Sequence, residues 1–496
     1  MSQGKRMKAE STTTSKKRKK SSKGLNSFFK LIAFVYVVIT IIFYISILKM
    51  NLLPGWVIAI FTIAEIVFTL AMVIGLLKRH KTYKLTVISL IIILFISGVY
   101  IYVTKYALAT SSFLGEVLQE ATETEDYYIV VQKDSSYAKI DDISDKKIYM
   151  FQVPNDVKTK ISNKVKVTFN TKDNLTGIGN DLLQKNIDIA LISLTQYNMI
   201  SDEIKEFRAN TKIIYTEKHD LQTSTKIVET TSKNSIKSGK FNVYISGIDT
   251  TGSISNVSRS DANILATVNT ETHEVLLTSI PRDYYVTLHS YGAKDKLTHS
   301  GIYGVNETIK TVEDLLDTKI DYYVRVNFTT VIKLVDKLGG IDIYSDYDFT
   351  TTSDYTYYTF KKGYNNNVKG AAALAFSRER YAFENGDNQR VKNQQAVIEA
   401  VMKKVLNSNT LLTKYTDILD SLKGSFQTNI AQDDISALVK DQINNMSSWS
   451  VKTNSLTGTG ASSSTYSMGS TKLYVMVPSS TSVNDAKDKI DKMLGE

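Results

Sequence analysis

Cysteine is absent from this chain of 496 residues, which excludes disulfide bonds and metal sites built from thiolates. Histidine occurs five times, without the spacing of metal ligands, at positions 80, 219, 273, 289 and 299. The sequence has neither a P-loop for nucleotide phosphates nor the Gly-x-Ser-x-Gly motif of serine hydrolases. The side chains that remain for catalysis or binding are therefore mainly carboxylates and arginines.

Positive charge is concentrated at the N-terminus. The formal net charge is +10, and residues 1–30 contain ten Lys or Arg and a single Glu. Residues 31–104 add four net positive charges, so residues 105–496 carry a net charge of −3. With almost nothing apolar to bury, residues 1–30 are predicted to form a basic, disordered cytoplasmic tail. Such a tail sets membrane topology, and binding of anionic lipid or nucleic acid is the alternative.

Three apolar stretches within residues 31–104 are each long enough to cross a bilayer, which takes about 20 helical residues. They are Leu31–Leu48, Leu52–Leu77 and Leu85–Thr104. The basic tail and the loop Lys78–Lys81 both carry positive charge, and the positive-inside rule places both in the cytoplasm. The sequence therefore predicts a multi-pass protein of the cell membrane, with its N-terminus inside and its large C-terminal part outside.

Residues 107–222 are predicted to form a small extracellular α/β domain, because strand and helix patterns alternate there. The predicted elements are strands Tyr127–Gln132, Lys147–Phe151, Lys164–Phe169, Ile187–Ser193 and Lys212–Tyr215, and helix Lys172–Lys185. No set of catalytic side chains falls in this segment, which indicates an accessory domain. A polar linker follows over residues 223–240.

Residues 241–496 continue the alternation and are predicted to form a larger α/β domain. The predicted strands are Phe241–Gly247, Ala262–Asn269, Glu274–Ile280, Tyr322–Asn327, Ile341–Ser345, Ala373–Phe376 and Lys472–Val477. The predicted helices are Val305–Leu316, Phe328–Leu338, a long one from about Asn388 to Leu406, and one opened by Ser482. Residues 453–470, rich in Ser, Thr and Gly, are predicted to be a loop.

Two aspartates are candidate metal ligands. Asp249 comes where the strand Phe241–Gly247 ends, which is the usual place for ligand-binding groups in an open α/β sheet. Asp261 lies near the start of the next strand, after a loop rich in Gly and Ser. Two carboxylates suit a hard cation such as Mg²⁺, which takes its other ligands from water and phosphate oxygens. Taken alone, such a pair more often caps turns.

Four arginines and a glutamine follow at wide spacing: Arg282, Arg378, Arg380, Arg390 and Gln394. Arg378 and Arg380 are two residues apart in a segment predicted to be extended, so both side chains leave the same face. Arginine suits phosphate because its planar fork donates two parallel hydrogen bonds and stays charged. Ordinary surface ion pairs with Glu379 and Glu384 are the alternative for any one of these arginines.

The long helix that follows carries a polar stripe. Asp387, Arg390 and Gln394 are spaced i, i+3, i+7, which puts them on one side of a helix. The stripe therefore indicates a single binding surface.

These motifs, in this order and spacing, resemble the LytR-CpsA-Psr family of Gram-positive envelope phosphotransferases over residues 241–406. The matching pieces are Gly247-Ile248-Asp249-Thr250, Arg259-Ser260-Asp261, Ser279-Ile280-Pro281-Arg282-Asp283, Leu338-Gly339-Gly340-Ile341, Ser377-Arg378-Glu379-Arg380 and Asp387-x-x-Arg390-x-x-x-Gln394-Gln395. Family members usually have arginine after the Asp-Thr pair, where this chain has Thr251. The three spans and the accessory domain are similar in particular to the capsule-associated streptococcal CpsA members.

The resemblance implies an α-β-α sandwich with a mixed central sheet. It implies an enzyme that transfers a glycopolymer, capsular or teichoic-acid-like, from undecaprenyl pyrophosphate to a muramic acid hydroxyl of peptidoglycan through a phosphodiester. Asp249 and Asp261 would hold Mg²⁺ or Mn²⁺ on the pyrophosphate. The implied pyrophosphate clamp is Arg282, Arg378, Arg380 and Arg390, with Gln394 beside it. The base that accepts the hydroxyl proton stays open between Asp249 and Asp283. Further implied partners are the membrane and capsule assembly proteins.

The polyprenyl tail of such a donor has to be sheltered from water. An apolar cleft between the sheet and its helices is therefore expected. The candidate lining residues are Val324, Val326, Val331, Ile332 and Val335. Plain core packing is the alternative role for any one of them.

A transmembrane regulator is the second hypothesis, in which the external domains sense polymer or lipid and residues 1–30 bind DNA. Those residues contain no helix-turn-helix pattern, and attraction to phosphate alone gives nonspecific, salt-sensitive binding. A non-catalytic module in capsule assembly is a third hypothesis. Of the three, the transferase accounts for the set of acids and arginines.

Overall fold

The computed structural model divides into two compact units. It describes residues 7–50, 53–78, 84–117, 123–221, 235–248, 254, 256–352, 356–384, 386–407, 426–431, 433–434, 437–438, 441 and 449–496. One unit comprises Met1–Gly115 with Gln432–Met446, and the other comprises Glu116–Ala431 with Ser447–Glu496. The predicted metal ligand Asp249 lies outside the described residues, as does Thr251.

The first unit contains three long apolar helices, one for each of the three predicted apolar stretches. They are α1 Met7–Met50, α2 Gly55–Leu77 and α3 Lys84–Val117. The parts long and apolar enough to cross a membrane are Ser27–Met50, Gly55–Leu77 and Lys84–Ala109.

The ends of these helices differ from the prediction. Helix α1 begins at Met7, so residues 7–30 are helical where disorder is predicted, and residues 1–6 lie outside the described residues. Lysine and arginine, which are frequent there, are good helix formers, and the adjoining apolar helix removes the cost of nucleation. Helix α3 continues to Val117, so the α/β elements begin at Thr124 and not near residue 107.

Glu65 is an acidic residue within the apolar helix α2, where a functional role or a hydrogen bond between helices is expected. The Oη atom of Tyr100, on α3, lies 2.6 Å from each carboxylate oxygen of Glu65. Thr69 Oγ1, one turn along α2, donates to Glu65 Oε1 at 3.3 Å. The hydrogen bond between helices is therefore present.

The accessory domain is the predicted small α/β domain. Its strands are β1 Thr124–Gln132, β2 Lys146–Met150, β3 Val167–Thr171, β4 Ile189–Ser193 and β5 Thr211–Asp220. Its helices are α4 Asn155–Ser162, α5 Leu175–Leu183, α6 Leu194–Glu203 and α7 Phe207–Asn210, with a 3₁₀ turn at Ile140–Ile143. The sheet order is β3-β2-β4-β1-β5. Helices pack on both faces, so the central strand β4 is buried along its whole length.

The large domain has more strands than were predicted. They are β6 Lys240–Ile248, β7 Ser260–Asn269, β8 Glu274–Ile280, β9 Tyr285–Thr287, β10 Lys294–Lys296, β11 Tyr322–Asn327, β12 Ile341–Ser345, β13 Phe349–Thr350, β14 Thr359–Phe360, β15 Gly363–Val368, β16 Phe426–Thr428, β17 Ser450–Ser455, β18 Gly458–Thr465 and β19 Gly469–Pro478. The central sheet has the order β16-β11-β6-β7-β8-β17. Its β11–β6 and β17–β8 pairs are parallel and its other pairs antiparallel, which confirms a mixed sheet.

Helices cover both faces of the central sheet. They are α8 Leu297–Ser300, α9 Val305–Leu316, α10 Phe328–Lys337, α11 Gly370–Arg378, α12 Gly386–Asn407 and α13 Ser480–Leu494, with 3₁₀ turns at Ile236–Ser238 and Gly301–Tyr303. Tyr244 and Tyr323 point into a core formed with α9 and α13. Because side chains alternate along a strand, their neighbours Ile245 and Val324 face the side of α10 and α12. The domain is therefore an α-β-α sandwich.

The predicted strand Ala373–Phe376 is wrong, because the segment lies within helix α11. Three consecutive alanines give it high helix propensity. Helix α11 also packs closely on α10: a Cβ added at Gly370 would lie 2.3 Å from the backbone oxygen of Ile332. Glycine at the start of α11 therefore permits this close approach.

The predicted loop over residues 453–470 is also wrong, because most of it is strand. Strand β17 pairs in parallel with β8, and β18 pairs with β19 in an antiparallel hairpin. Serine and threonine are compatible with strands, and pairing partners distant in sequence decide the outcome.

Candidate functional site

A cavity of about 980 Å³ opens where strands β6 and β11 end, under helices α10, α11 and α12. Its apolar lining is Met199, Ile245, Ala262, Val324, Val326, Val331, Leu334, Leu374, Val397, Ile398, Val401, Phe426, Met468 and Leu473. Its charged lining is Asp202, Glu203, Arg259, Asp261, Arg282, Asp283, Lys296, Arg378, Arg380, Arg390 and Lys472. With seven basic and four acidic side chains, the polar part of the pocket suits an anion.

The described residues of the predicted site meet in this pocket. They are Asp261, Arg282, Arg378, Arg380, Arg390 and Gln394. Val324, Val326 and Val331 of the predicted apolar cleft also line it, whereas Val335 packs in the core beneath α11 and α12. Asp249 lies outside the described residues, and so does the side chain of Asp387.

Two neighbouring strands bring Asp261 and Arg282 together. Strands β7 and β8 are antiparallel, so the start of β7 lies beside the end of β8, with Asn263 opposite Ile280. Arg282 Nη1 lies 2.7 Å from Asp261 Oδ1. Thr298 Oγ1 donates to the same carboxylate oxygen at 2.9 Å. The sheet itself therefore builds this ion pair at the pocket.

The charge of Asp261 depends on its neighbours. Burial raises the pKa of this carboxyl, but the guanidinium groups of Arg282, Arg259 and Arg390, with the Thr298 hydroxyl, oppose burial and hold the pKa below its usual range. Asp261 is therefore ionised at neutral pH, as a metal ligand must be.

Arg378 and Arg380 reach the pocket from the end of a helix. Arg378 is the last residue of α11 and Glu379 is its C-cap, so the extended segment predicted around them is wrong. Buried Glu379 accepts hydrogen bonds from the backbone N–H of Thr352 at 2.6 Å and of Ala382 at 3.0 Å. It therefore fixes the turn after α11. The guanidinium of Arg380 stacks over the Tyr381 ring, 4.4 Å from its centroid.

Helix α12 supplies the polar stripe that the sequence predicts. Arg390 is buried, and its Nη2 atom lies 3.9 Å from Asp283 Oδ2. One turn further, Gln394 Nε2 donates to the backbone oxygen of Asp261 at 3.5 Å. Asp283 also lies 3.0 Å from Lys296 Nζ. Its carboxylate therefore balances part of the positive charge of the pocket.

Several site residues were not predicted. Arg259 belongs to a matching motif, yet its role becomes visible only in the fold, where its Nη1 atom lies 2.6 Å from Asp202 Oδ2. Asp202 lies on α6 of the accessory domain, so that domain forms part of the pocket wall. Lys296 and Lys472 carried no local signal, because only tertiary packing brings them here.

Among the described residues, the pocket has an oxygen donor that is compatible with a divalent cation. No group of three His, Cys, Asp or Glu that could hold a metal occurs among the described residues. Asp261 is an ionised oxygen donor lining the pocket, and its Oδ1 atom already contacts Arg282 and Thr298. Phosphate and water oxygens would have to complete any coordination, which is the preference of Mg²⁺.

Sequence comparison assigns the family. Residues 204–489 match the LytR_cpsA_psr family, and the chain belongs to that family. It is 34% identical over 209 residues to a Bacillus cereus protein named polyisoprenyl-teichoic acid--peptidoglycan teichoic acid transferase TagU, covering 42% of this chain and 66% of that relative. A Bacillus licheniformis protein of the same name is 36% identical over 196 residues, covering 39% and 61%. The chain thus matches just under two thirds of the length of these two relatives.

Solved structures give similar matches. Bacillus subtilis TagU is 30% identical with a TM-score of 0.40, covering 52% of this chain and 97% of that one. A structure described as TagT bound to LI-WTA is 26% identical with a TM-score of 0.42, covering 54% of this chain and 96% of that one. Because both TM-scores are below 0.5, the family assignment rests on the sequence match.

Proposed function

We propose that this protein is a membrane-anchored phosphotransferase that moves a glycopolymer, of capsular or teichoic-acid type, from undecaprenyl pyrophosphate to peptidoglycan. Its TagU relatives are named as transferases of teichoic acid to peptidoglycan. The observation that carries the proposal is the meeting of the described predicted residues in one pocket that has a cationic part and an apolar part.

The cationic part matches what phosphoryl transfer requires. Such reactions need positioning and neutralisation of charge on the phosphate oxygens more than they need covalent chemistry. Arg282, Arg378, Arg380 and Arg390 are donors that stay charged, and Gln394 adds a neutral donor. We assign these side chains to the pyrophosphate.

The apolar part matches a prenyl chain. The apolar wall of the pocket includes Val324 and Val326 on β11, Val331 and Leu334 on α10, and Val397 on α12. Burial of apolar surface stabilises such a chain by about 25 cal/mol per Å². We assign this wall to the isoprene units next to the pyrophosphate.

Asp261 and Asp249 are the proposed ligands of Mg²⁺ or Mn²⁺. Strand β6 ends at Ile248, which pairs with Ser260, so the end of β6 lies beside the start of β7, where Asp261 is located. When bound, the cation would neutralise charge on the pyrophosphate oxygens. Asp261 contributes a fixed negative charge to hold it, and Arg282 and Thr298 orient that carboxylate.

The proposed orientation follows from charge. The basic N-terminal segment and the basic loop after α2 belong on the cytoplasmic side by the positive-inside rule. After three crossings, the accessory and large domains then lie outside the cell, where peptidoglycan is the acceptor.

The test uses the full chain in lipid vesicles, with a synthetic prenyl-pyrophosphate-linked oligosaccharide as donor, Mg²⁺, and peptidoglycan fragments as acceptor. We expect Arg378→Ala and Asp261→Asn each to lower kcat by about 10²- to 10³-fold, as for loss of a transition-state contact. The matched control is Arg208→Ala, because Arg208 is exposed on the accessory domain and hydrogen-bonds to Asn198. Wild-type rates in both pocket variants, or no transfer by the wild type, would refute the proposal.

A further inference from the structure

A histidine and an aspartate form a buried pair at the edge of the pocket. His299 lies on α8, is only 4% exposed, and lines the pocket. Its Nδ1 atom lies 2.7 Å from Asp295 Oδ1 and 2.7 Å from Ser467 Oγ. Asp295 is 0% exposed, and its two oxygens also accept the backbone N–H groups of Lys296 and Ser467, each at 2.7 Å. Asp295 is therefore held in place from three sides.

This arrangement sets the tautomer of His299. An ionised carboxylate only accepts hydrogen bonds, so the contact with Asp295 requires the proton of a neutral imidazole to be on Nδ1. The lone pair is then on Nε2, which has no hydrogen-bond partner among the described residues. Because His299 lines the pocket, Nε2 is the ring nitrogen left to meet a bound substrate.

Helix α8 also connects this histidine to the anion-binding part of the pocket. The preceding residue, Thr298, donates its hydroxyl to Asp261 and its backbone N–H to the oxygen of Arg282, the latter at 2.8 Å. The histidine and the proposed pyrophosphate site are therefore held by one short element. A substrate bound at Arg282 lies next to α8.

Three of the four described carboxylates of the pocket are poorly suited to accept a proton, and the fourth, Glu203, is exposed at the end of α6. Asp261 contacts Arg282 and Thr298, and Asp283 lies within 4 Å of Arg282, Lys296 and Arg390. Asp202 pairs with Arg259. An acid that faces cations keeps its negative charge and is a weak base. His299 has no such competing partner at Nε2.

We propose that His299 is the general base of the transfer and that Asp295 is its positioning residue. This inference rests on the proposed function. The acceptor hydroxyl oxygen forms a bond to the phosphorus that carries the glycopolymer, while the bond from that phosphorus to the bridging oxygen breaks. The electron pair leaves with the polyprenyl monophosphate. The hydroxyl proton passes to Nε2 and then to water, so atoms and charge balance.

Charged groups on the elements around α8 affect the pH dependence of the reaction. Strand β10 contributes Asp295 and Lys296, and the start of β7 contributes Asp261. The segment after β8 contributes Arg282 and Asp283, and β19 contributes Lys472. Variants of these residues are unsuitable as neutral controls.

The experiment measures kcat, donor KM and their pH dependence for the full chain in vesicles, with the same donor and acceptor as above. We expect His299→Gln to lower kcat by about 10²- to 10⁴-fold, the usual contribution of a general base. Donor KM should stay unchanged, because the arginine contacts remain. The pH dependence of the rate should differ between the wild type and His299→Gln, because the variant lacks the group that accepts the hydroxyl proton. Added imidazole should restore part of the rate of His299→Ala.

The matched control is His289→Gln. His289 Nδ1 also lies 2.7 Å from an aspartate, Asp314 Oδ2, but its side chain is 45% exposed and does not line the pocket. This variant should keep the wild-type rate and pH profile. Asp295→Asn should lower kcat less than His299→Gln does. It removes the carboxylate that orients His299 but leaves the imidazole in place.

A measurement on the wild type covers the case in which the variants misfold. Diethyl pyrocarbonate should modify His299 with loss of activity, mapped by mass spectrometry, and the donor should protect it. A His299→Gln variant with wild-type kcat, or modified His299 with full activity, overturns the inference. If Arg378→Ala still abolishes transfer in that case, the proposed function stands. If the wild type transfers nothing, the proposed function fails.

Discussion

Asp261 shows how single residues set the charge of the pocket. Its folded-state pKa is lowered, so its contribution to stability is present above the ordinary pKa of aspartate and is lost as pH falls through the lowered value. Burial alone would raise the pKa of Asp261. The arginines around it therefore keep it charged.

The corresponding prediction concerns Arg282→Met. The substitution removes a guanidinium 2.7 Å from Asp261, and with it part of the attraction that offsets the effect of burial. The pKa of Asp261 therefore rises. The acid unfolding transition of the full chain in detergent, followed by circular dichroism, should shift to higher pH. Arg208→Met, on the surface of the accessory domain, should leave the transition unchanged. An unshifted transition in Arg282→Met would show that the other neighbours suffice.

At this scale the sequence predicts residues that belong to local motifs. Arg282, Arg378 and Arg390 were identified because each lies in a short pattern, and all three line the pocket. His299 has no such local signal, because only the packing of the fold brings it to its partners Asp295 and Ser467. Ser467 is 168 residues away in sequence. A short sequence motif cannot indicate a contact between residues that are so far apart in the chain.

Local propensity decides the secondary structure of some elements, and pairing with strands distant in sequence decides that of others. The predicted bounds of β8, α9, β11 and β12 agree with the structure to the residue. Helix α9 and strand β12 each have a regular apolar period, and β8 is a short apolar run that ends before Pro281. The sequence predicts a strand in place of α11 because its apolar run is short and fully buried. In such a run, the spacing of apolar residues does not distinguish a strand from a helix. Strand β17 has no apolar period, and its pairing with β8 decides it.

Helix α11 leads to a prediction about Gly370. A side chain there would meet the backbone of Ile332 on α10, so Gly370→Val should destabilise the protein by about 1–3 kcal/mol through overpacking. Because α11 ends at Arg378, transfer activity should also fall. Ala371→Val, at the exposed neighbouring position, is the control and should have little effect. Thermal unfolding and transfer rates measure both. A stable, fully active Gly370→Val would show that the two helices can separate without cost.

On the scale of the whole second unit, a buried ion pair joins the accessory domain to the large sheet. Glu123, which precedes β1, is 3% exposed, and its Oε1 atom lies 2.6 Å from Nη1 of Arg325 on β11. Arg325 Nη2 also donates to the backbone oxygen of Asn256 at 3.1 Å. The pocket wall from α6 thus has a fixed position relative to the sheet.

Breaking this pair should be costly. Arg325→Met leaves the carboxylate of Glu123 buried without its cation, so the free energy of unfolding should fall by about 3–5 kcal/mol. Adding Glu123→Gln should recover part of that loss, because the stranded charge is removed. Lys185→Met is the control: Lys185 and Asp134 are each 66% exposed, and the loss should be below about 1 kcal/mol. Denaturant titration of the three variants provides the comparison.

Residues 449–496 have a consequence for how the large domain folds during synthesis. Strand β17 completes the sheet beside β8, and α13 supplies Val483, Ile490 and Leu494 to the core around Tyr244. A ribosome that stops before residue 449 therefore releases a chain with an open strand edge and an uncovered apolar face, both of which favour aggregation and proteolysis. Because β17 and α13 are translated after the strands and helices that they cover, the core of the large domain closes only once both have been made.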